Sequence, residues 1–273
     1  MLVRSHSDLH LEGFVGTDVV ELANHFIPKQ ETDWDTVLIL AGDVSSKLPQ
    51  LRLFLTELSG RFKHIFFVPG NHEYYRHDYD FWNEQATKFF NEITNLSFAV
   101  GDVGTKIIDG VRFVFGTMWA DGGPQQHQEE VSFYLNDFRL IEFKGDAFTI
   151  NDMIAINQQH KFEIGRITKN QFEGKTVVIT HHMPSYRLCH PRFGGNCNGG
   201  FATDCDYMFF DNSIDYWFFG HTHDKIVKQI GGTKLICNPT GYRGEWVENR
   251  RSYVELAGGE INTFEIEGKN ANQ

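Results

Sequence analysis

Five short blocks of potential metal ligands occur in order along the chain. They are Asp8-Leu9-His10, Gly42-Asp43, Gly70-Asn71-His72-Glu73, His181-His182 and Gly220-His221-Thr222-His223. Imidazole nitrogens together with carboxylate and amide oxygens are donors that divalent transition metals bind well. Most blocks follow a short apolar run, which places them where a strand ends and a loop begins. The sequence therefore predicts a metal-centred active site assembled from several strand ends.

Two of the blocks place ligand residues two positions apart. Asp8 and His10 have this spacing, and His221 and His223 repeat it. In an extended segment, residues i and i+2 face the same side. We therefore expect Asp8 and His10 to reach one metal. Asp43 follows a glycine, which lets the backbone turn sharply where a strand ends.

The elements that must position these blocks can be predicted from apolar spacing. Apolar runs rich in Val, Ile and Phe predict buried strands at residues 36–41, 64–68, 112–115, 176–180 and 214–219. Apolar residues three and four apart predict helices within residues 48–58, 78–95 and 153–167. Strand-like runs joined by short glycine-containing turns follow at residues 225–230, 233–237, 250–256 and 261–266. This order predicts an α/β fold with mixed sheets, in a single domain over residues 1–273.

Composition narrows the class of protein. The chain has 273 residues, of which 41% are hydrophobic and 22% are charged, as is ordinary for a globular protein. No apolar run approaches the roughly 18 residues that a membrane helix needs. The net charge of -11 lacks the basic footprint of a duplex-DNA binder. Sparse cysteines and the lack of room for a signal peptide before Asp8 predict a cytoplasmic protein.

Taken together, the five blocks resemble the signature of the calcineurin-like metallophosphoesterases. Two further segments, Gly116–Asp121 and Asn238–Arg243, resemble segments of a bacterial and phage subgroup of that family. The signature consists of Asp-x-His, Gly-Asp, Gly-Asn-His-Asp/Glu, a later His and Gly-His-x-His, and here it spans residues 8–223. The resemblance implies a four-layer α/β/β/α sandwich with two mixed β-sheets. It also implies a pair of divalent metal ions and hydrolysis of phosphate esters.

The resemblance implies a role for each residue of the blocks. The ligands implied for one metal are Asp8, His10 and His223, those for the other are Asn71, His181 and His221, and the bridging ligand is Asp43. His72 would bind no metal and would face the substrate. His182 would lie behind the ligands or face the substrate. Manganese, iron and zinc all remain open as the metals, and manganese is favoured.

The chain departs from part of the family at one position. Some members, notably the protein phosphatases, carry a second Asp three residues after the bridging Asp, and that residue orients the catalytic His. Here the position is Ser46. The orienting partner of His72 is therefore open, and a protein-phosphatase function is disfavoured.

The implied site has a definite chemistry. Two dications roughly 3.5–4 Å apart acidify a bridging water to hydroxide near neutral pH. With Asp8, Asp43 and the hydroxide, the site keeps a charge of about +1 and attracts a phosphate. The hydroxide would attack phosphorus in line while the metals spread the developing charge. His72 would protonate the leaving oxygen, a contribution typically worth roughly 10²–10⁴ in rate.

The substrate is predicted to be a small phosphomonoester or phosphodiester, or a nucleotide. Arg192 and Arg243 are the predicted partners of its phosphate or carboxylate, together with Asn71 and His182. The glycine-rich residues 189–205 are predicted to form a cap loop over the site. Two other functions remain open: a nuclease for short or single-stranded nucleic acid, and a scaffold that has lost its chemistry. The oligomeric state also remains open.

Overall fold

Two β-sheets form the middle of the molecule, and helices cover their outer faces. The computed structural model describes residues 1–191, 195–211, 213–243, 245 and 263–266. The strands within these residues are β1 (Leu2–His6), β2 (Thr36–Ala41), β3 (His64–Val68), β4 (Leu96–Phe98), β5 (Gly104–Ile108), β6 (Val111–Phe115), β7 (Glu142–Phe143), β8 (Asp146–Ala147), β9 (Lys175–Ile179), β10 (Tyr216–Phe219), β11 (Ile226–Ile230), β12 (Thr233–Cys237) and β13 (Thr263–Glu265). The α-helices are α1 (Val19–Phe26), α2 (Leu48–Ser59), α3 (Tyr79–Phe90), α4 (Gln128–Tyr134), α5 (Asp137–Leu140) and α6 (Ile150–Thr168).

Both large sheets are mixed. The first has the order β13-β1-β2-β3-β4, in which only β13 runs antiparallel to its neighbour among the described strands. The second has the order β11-β12-β10-β9-β6-β5, with a parallel centre and an antiparallel strand at each edge. Strands β7 and β8 form a separate short antiparallel pair.

The period of two along each strand separates the apolar cores. Val37 and Ile39 of β2 point into the space between the two large sheets. There Phe66 of β3 stacks on Phe113 of β6 with 4.3 Å between ring centroids. Leu40 of β2 points the opposite way, toward helices α1, α2 and α3. The first sheet is thus buried on both faces.

The outer face of the second sheet is covered by α6 and by the segment before β10. Val178 of β9 and Trp217 of β10 pack there with Ile164 of α6 and Met208. Helix α6 begins with a capping box, in which Thr149 and Asp152 bond to each other's backbone N–H groups. The order of layers is helices, sheet, sheet, helices, which confirms the predicted α/β/β/α sandwich.

Most predicted elements have the expected type and nearly the expected bounds. Strands β2, β3 and β12 coincide with their predictions, while β1, α1, β4 and β5 were not predicted. Strand β1 contains the polar residues Arg4, Ser5 and His6. They remove the apolar pattern by which a buried strand is predicted, although all three residues are buried. The strand predicted at residues 250–256 lies outside the described residues. The single-domain organisation stays a prediction.

All five blocks follow parallel strands at their carboxyl ends. Strands β1, β2 and β3 supply the first three blocks, and β9 and β10 supply the last two. Two backbone hydrogen bonds tie the loops together across this edge, from Asp8 N to Gly42 O at 2.9 Å and from Gly220 N to His181 O at 2.8 Å. No helix in the described part of the chain is long and apolar enough to cross a membrane.

A buried ion cluster fixes the start of β2 against β1. The guanidinium of Arg4, which is fully buried, lies 3.2 Å from the Asp33 carboxylate, and that of Arg61 lies 3.1 Å from it. Burial lowers the pKa of Arg4, and the Asp33 charge opposes that effect. Asp33 therefore neutralises the fully buried guanidinium of Arg4 and the largely buried guanidinium of Arg61.

We predict that Asp33→Ala lowers the free energy of unfolding by about 3–5 kcal/mol, because it leaves two buried cations without an anion. Urea denaturation followed by circular dichroism measures this change. Asp35→Ala is the matched control, because it removes an exposed ion pair with Lys63 at 3.4 Å. That loss should be at most about 1 kcal/mol. Equal effects of the two substitutions would contradict the role given to Asp33.

Candidate metal centre

Five of the seven predicted ligand residues have a backbone conformation that the sequence did not reveal. Asp8 (φ 54°), His10 (φ 48°), Asp43 (φ 54°), His221 (φ 68°) and His223 (φ 53°) all lie in the left-handed region. The prediction that Asp8 and His10 share an extended segment is therefore wrong, since β1 ends at His6. The left-handed turns still bring both side chains to one place.

The first donor cluster contains Asp8, His10 and His223. Their ligand atoms all lie within 4.8 Å of one another. His10 Nε2 is 3.1 Å from His223 Nε2, and His223 Nε2 is 3.6 Å from Asp8 Oδ1. Asp8 is fully buried and also accepts the backbone N–H of His221 at 3.0 Å.

The second donor cluster contains Asp43, His181 and His221, whose ligand atoms also lie within 4.8 Å of one another. His181 Nε2 is 3.2 Å from His221 Nδ1 and 3.2 Å from Asn71 Oδ1. The structure therefore brings all seven predicted ligand residues to the two clusters.

Asp43 lies between the clusters. Its Oδ1 is 3.5 Å from His181 Nε2 in the second cluster, and its Oδ2 is 3.9 Å from His10 Nε2 in the first. The side chain is 2% exposed. Burial alone would raise the pKa of Asp43, but the surrounding histidines hold it well below its usual value. Asp43 could thus offer one carboxylate oxygen to each of two cations.

The hydrogen bonds behind the histidines suit metal binding. His181 Nδ1 donates to Ala41 O at 2.8 Å, and His223 Nδ1 lies 2.8 Å from the Glu245 carboxylate. His10 Nδ1 lies 3.3 Å from the Glu12 carboxylate. A proton on Nδ1 leaves the lone pair of Nε2 pointing into the cluster, which is the usual arrangement around a metal-bound His. The residues present therefore fit divalent cations.

The amide of Asn71 is oriented by its neighbours. Its Nδ2 donates to Asp137 Oδ1 at 2.8 Å and to Tyr75 Oη at 3.0 Å. Tyr75 Oη donates in turn to Asp137 Oδ1 at 2.8 Å. Because the amide nitrogen must face the carboxylate, Oδ1 must face His181 and the second cluster.

Glu73 joins two of the ligand loops. Its fully buried carboxylate accepts backbone N–H groups from Asp43 (2.9 Å), Val44 (2.7 Å), Ser45 (3.0 Å) and Gly70 (2.6 Å). Burial and the Asp43 charge raise the pKa of Glu73 to about 7, against the effect of these donors. The carboxylate fixes the loop after β2 relative to the loop after β3.

Two glycines allow the ligands to approach so closely. A Cβ on Gly42 would lie 2.4 Å from His181 Nδ1, and one on Gly70 would lie 2.2 Å from Asp43 Oδ1. Gly42 also has a φ of +85°, which L side chains rarely adopt. The glycines in the second and third blocks are therefore required by packing as well as by turning.

His72 lies between two polar groups beside the clusters, and one of its ring nitrogens is within 4.8 Å of ligand atoms of His10 and Asp43. Its backbone N–H donates to Asp43 Oδ1 at 2.9 Å. Its Nδ1 is 3.2 Å from Glu12 Oε1, and its Nε2 is 3.0 Å from Tyr242 Oη. Burial by itself lowers the pKa of His72, but Asp43 and Glu12 outweigh burial and raise it to about 9. Burial alone would raise the pKa of Glu12, but its contacts with His10 and His72 lower that pKa to about 2.

A cleft of about 540 Å³ opens beside the clusters. Its lining includes His72, Asn71, Asp43, His221, His223, Asp137, Glu245, Tyr75, Tyr134, Phe201 and Tyr242. No Lys or Arg lines it among the described residues. Cys197 and Phe201 contribute one wall, so part of the predicted cap loop does border the site.

Two of the predicted substrate-binding side chains lie outside the cleft lining. His182 is fully buried against the rings of Trp119 and His221, and it is not part of the cleft lining. Arg243 is exposed, and its guanidinium carbon lies 5.6 Å from the Phe14 ring centroid rather than in the cleft. Substrate contact by these two side chains is therefore not supported. Arg192 lies outside the described residues.

Several residues of the site were missed by sequence reasoning. Glu12 stands two positions after His10, and an acidic side chain so close to a ligand block was an available signal. Glu73 belongs to the third block but was given no role. Asp137, the first residue of α5, and Glu245 both stand outside the five blocks, and nothing in their local sequence marks them.

Comparisons with known proteins agree with this geometry. The sequence model described as calcineurin-like phosphoesterase matches residues 6–225. The chain is 39% identical over 271 residues to the [acyl-carrier-protein] phosphodiesterase PptH of Mycobacterium tuberculosis, which covers 92% of this chain and 80% of that protein. It is 25% identical over 281 residues to an uncharacterized protein of Acanthamoeba polyphaga mimivirus, covering 93% and 96% of the two chains.

A solved structure has the same fold. The crystal structure of phosphopantetheinyl hydrolase (PptH) from Mycobacterium tuberculosis superposes with a TM-score of 0.69 at 18% identity, over 91% of this chain and 92% of that one. The family match covers most of the chain, and the fold and the donor clusters are those expected of it. The chain belongs to the calcineurin-like phosphoesterase family and is a hydrolase that acts on phosphoester bonds.

Proposed function

We propose that the protein hydrolyses small phosphate esters, with a preference for phosphodiesters, using two divalent metal ions. The single observation that carries this proposal is that the Asp43 carboxylate has one oxygen toward His181 and the other toward His10, and so borders both donor clusters. Asp8, His10 and His223 would hold one ion, and Asn71, His181 and His221 would hold the other. Asp43 would contact both. The set combines imidazole with carboxylate and amide oxygens and contains no thiolate, so manganese, iron and zinc all fit it, and manganese is the ion that we favour.

The metals, when bound, would acidify a water molecule to hydroxide near neutral pH and neutralise a phosphate. The residues of the chain do the rest. Asp43 holds the backbone of His72 through its Oδ1 and so fixes the ring beside the clusters. His72 Nε2 faces the cleft, and we assign it the proton for the leaving oxygen. Asn71, held by Asp137 and Tyr75, presents its amide oxygen to the second cluster.

The cleft favours an ester with little charge beyond its reacting phosphate. Aromatic side chains and the carboxylates of Asp137 and Glu245 line it, and no Lys or Arg among the described lining residues would hold a second phosphate. The overall charge of -11 also opposes a long polyanion. These observations disfavour the nuclease alternative. The complete donor set and the presence of His72 disfavour a scaffold without chemistry.

A carrier-protein ester is a second candidate substrate. The relative PptH is named an acyl-carrier-protein phosphodiesterase. In this chain the exposed rings of Phe133 (70%) and Tyr134 (65%) stand together, and Tyr134 also lines the cleft. Such a rim would suit a protein that delivers a phosphodiester on a flexible arm.

The four free cysteines are consistent with the proposed cytoplasmic location.

The first prediction concerns the bridge between the metals. Asp43→Asn should weaken both metal sites and remove nearly all activity, because an amide offers one oxygen and no charge. Elemental analysis and turnover of bis-p-nitrophenyl phosphate measure the two effects. Asp146→Asn, at an exposed position, is the matched control and should behave as wild type. Two metals per chain with full turnover in Asp43→Asn would refute the assignment.

The second prediction separates proton transfer from metal binding. His72→Ala should retain both metals, and its activity loss should be larger for diphenyl phosphate than for bis-p-nitrophenyl phosphate. Phenol is the more basic leaving group and needs the proton more, so we expect a loss of roughly 10²–10⁴ for that ester. His25→Ala, at an exposed position on α1, serves as the control. Equal losses for both esters would count against a general acid.

The third prediction concerns substrate size. With manganese supplied, the protein should turn over bis-p-nitrophenyl phosphate or a nucleotide ester while leaving plasmid DNA largely intact. The repulsion of duplex DNA should be strongest at low salt and should weaken as ions screen it. A plasmid-nicking assay run beside the chromogenic assay makes the comparison. Efficient plasmid degradation by catalytic amounts of enzyme would favour the nuclease alternative instead.

A further inference from the structure

The carboxylate beside His72 does not come from the position that other family members use. An Asp three residues after the bridging Asp would stand at position 46, where this chain has Ser46. In the structure, Glu12 Oε1 lies 3.2 Å from His72 Nδ1 instead. Glu12 belongs to the loop after β1, 60 residues away from His72 in the chain.

Glu12 is held in this place by the loop that contains Ser46. The backbone N–H of Ser46 donates to Glu12 Oε2 at 3.2 Å. The two loops are also paired through their backbones, from His10 N to Asp43 O at 3.0 Å and from Leu11 N to Val44 O at 2.9 Å. The Glu12 carboxylate therefore borders position 46 from the neighbouring loop.

The contact decides which nitrogen of His72 faces the cleft. A carboxylate only accepts hydrogen bonds when ionised, so His72 Nδ1 must carry a proton toward Glu12. Nε2 is then the ring nitrogen that faces the cleft, and Tyr242 Oη lies 3.0 Å from it. Tyr75 packs against the ring with 4.2 Å between centroids and limits its rotation.

We propose that Glu12 is the positioning residue of His72 and substitutes for the orienting Asp that this chain lacks at position 46. This inference rests on the proposed function, in which His72 Nε2 protonates the leaving oxygen. A competing role exists, because the same Glu12 oxygen lies 3.3 Å from His10 Nδ1 and could serve the first donor cluster alone. The experiment must therefore separate an effect on His72 from an effect on metal binding.

The test compares Glu12→Gln, Glu12→Ala and the double variant Glu12→Ala/Ser46→Asp with wild type. Each is loaded with manganese, and its metal content is measured. We expect two metals per chain in every variant. For Glu12→Gln, kcat should fall roughly 100-fold on diphenyl phosphate and less than roughly tenfold on bis-p-nitrophenyl phosphate. On diphenyl phosphate, the kcat of the double variant should be roughly tenfold higher than that of Glu12→Ala. Glu31→Gln, at an exposed position, is the matched control.

A second measurement does not depend on activity. Long-range ¹H–¹⁵N spectra of the zinc-loaded protein report the tautomer of His72, whose signals are assigned by their loss in His72→Asn. We expect the Nδ1–H tautomer for neutral His72 in wild type and a mixture of tautomers in Glu12→Ala. An Nε2–H tautomer in wild type would overturn the proposal.

The kinetic outcomes are equally decisive. Equal losses on both esters, loss of a metal from Glu12→Gln, or a double variant no faster than Glu12→Ala would each overturn the role of Glu12 at His72. Failure of the wild-type protein to hydrolyse either ester would contradict the proposed function instead. The tautomer of His72 would still decide the contact with Glu12 in that case.

Discussion

The buried carboxylate of Glu73 is the interaction on which the site depends. It receives four backbone N–H groups from the loops after β2 and β3, and these loops carry Asp43, Asn71 and His72. Hydrogen bonds to an ionised acceptor are worth about 1.5–3 kcal/mol each. A neutral amide at this position would offer one oxygen and would turn its own donors toward backbone N–H groups. The distance between Asp43 and Asn71 is therefore set by Glu73, which is not itself one of the predicted ligands.

The second constraint is the crowding of like groups. Ring nitrogens of His10 and His223 face each other at 3.1 Å, and those of His181 and His221 at 3.2 Å. Facing lone pairs repel unless a proton or a cation lies between them. The Nδ1 protons of His10, His181 and His223 are already donated to a carboxylate or a backbone carbonyl behind each ring, so they cannot lie between the facing nitrogens. The clusters are thus built for cations, and the fold supports them from behind with fixed hydrogen bonds.

The sequence was sufficient for the fold and for the residues that the structure brings together in the two donor clusters, because each block combines a strand end with its donors in a few residues. It failed where a role depends on distant contacts. Asp137 meets Asn71 across 66 residues and Glu12 meets His72 across 60, so neither partnership has a local pattern. Arg243 was chosen for its charge, but residue type does not determine direction, and its side chain extends over Phe14. The extended spacing of Asp8 and His10 failed because left-handed turns replace the strand there.

Those left-handed turns lower the stability of the folded chain while they position the predicted metal ligands. Five ligand residues other than glycine hold positive φ angles, and each such residue costs on the order of 1 kcal/mol or more. The sheets beneath them, with two fully buried faces, compensate for this strain. Selection for a more heat-resistant chain alone would favour Gly or Asn at these positions and would remove side chains from the two donor clusters in doing so. The ligand loops are therefore places where the sequence is held away from its stability optimum by the work the protein does.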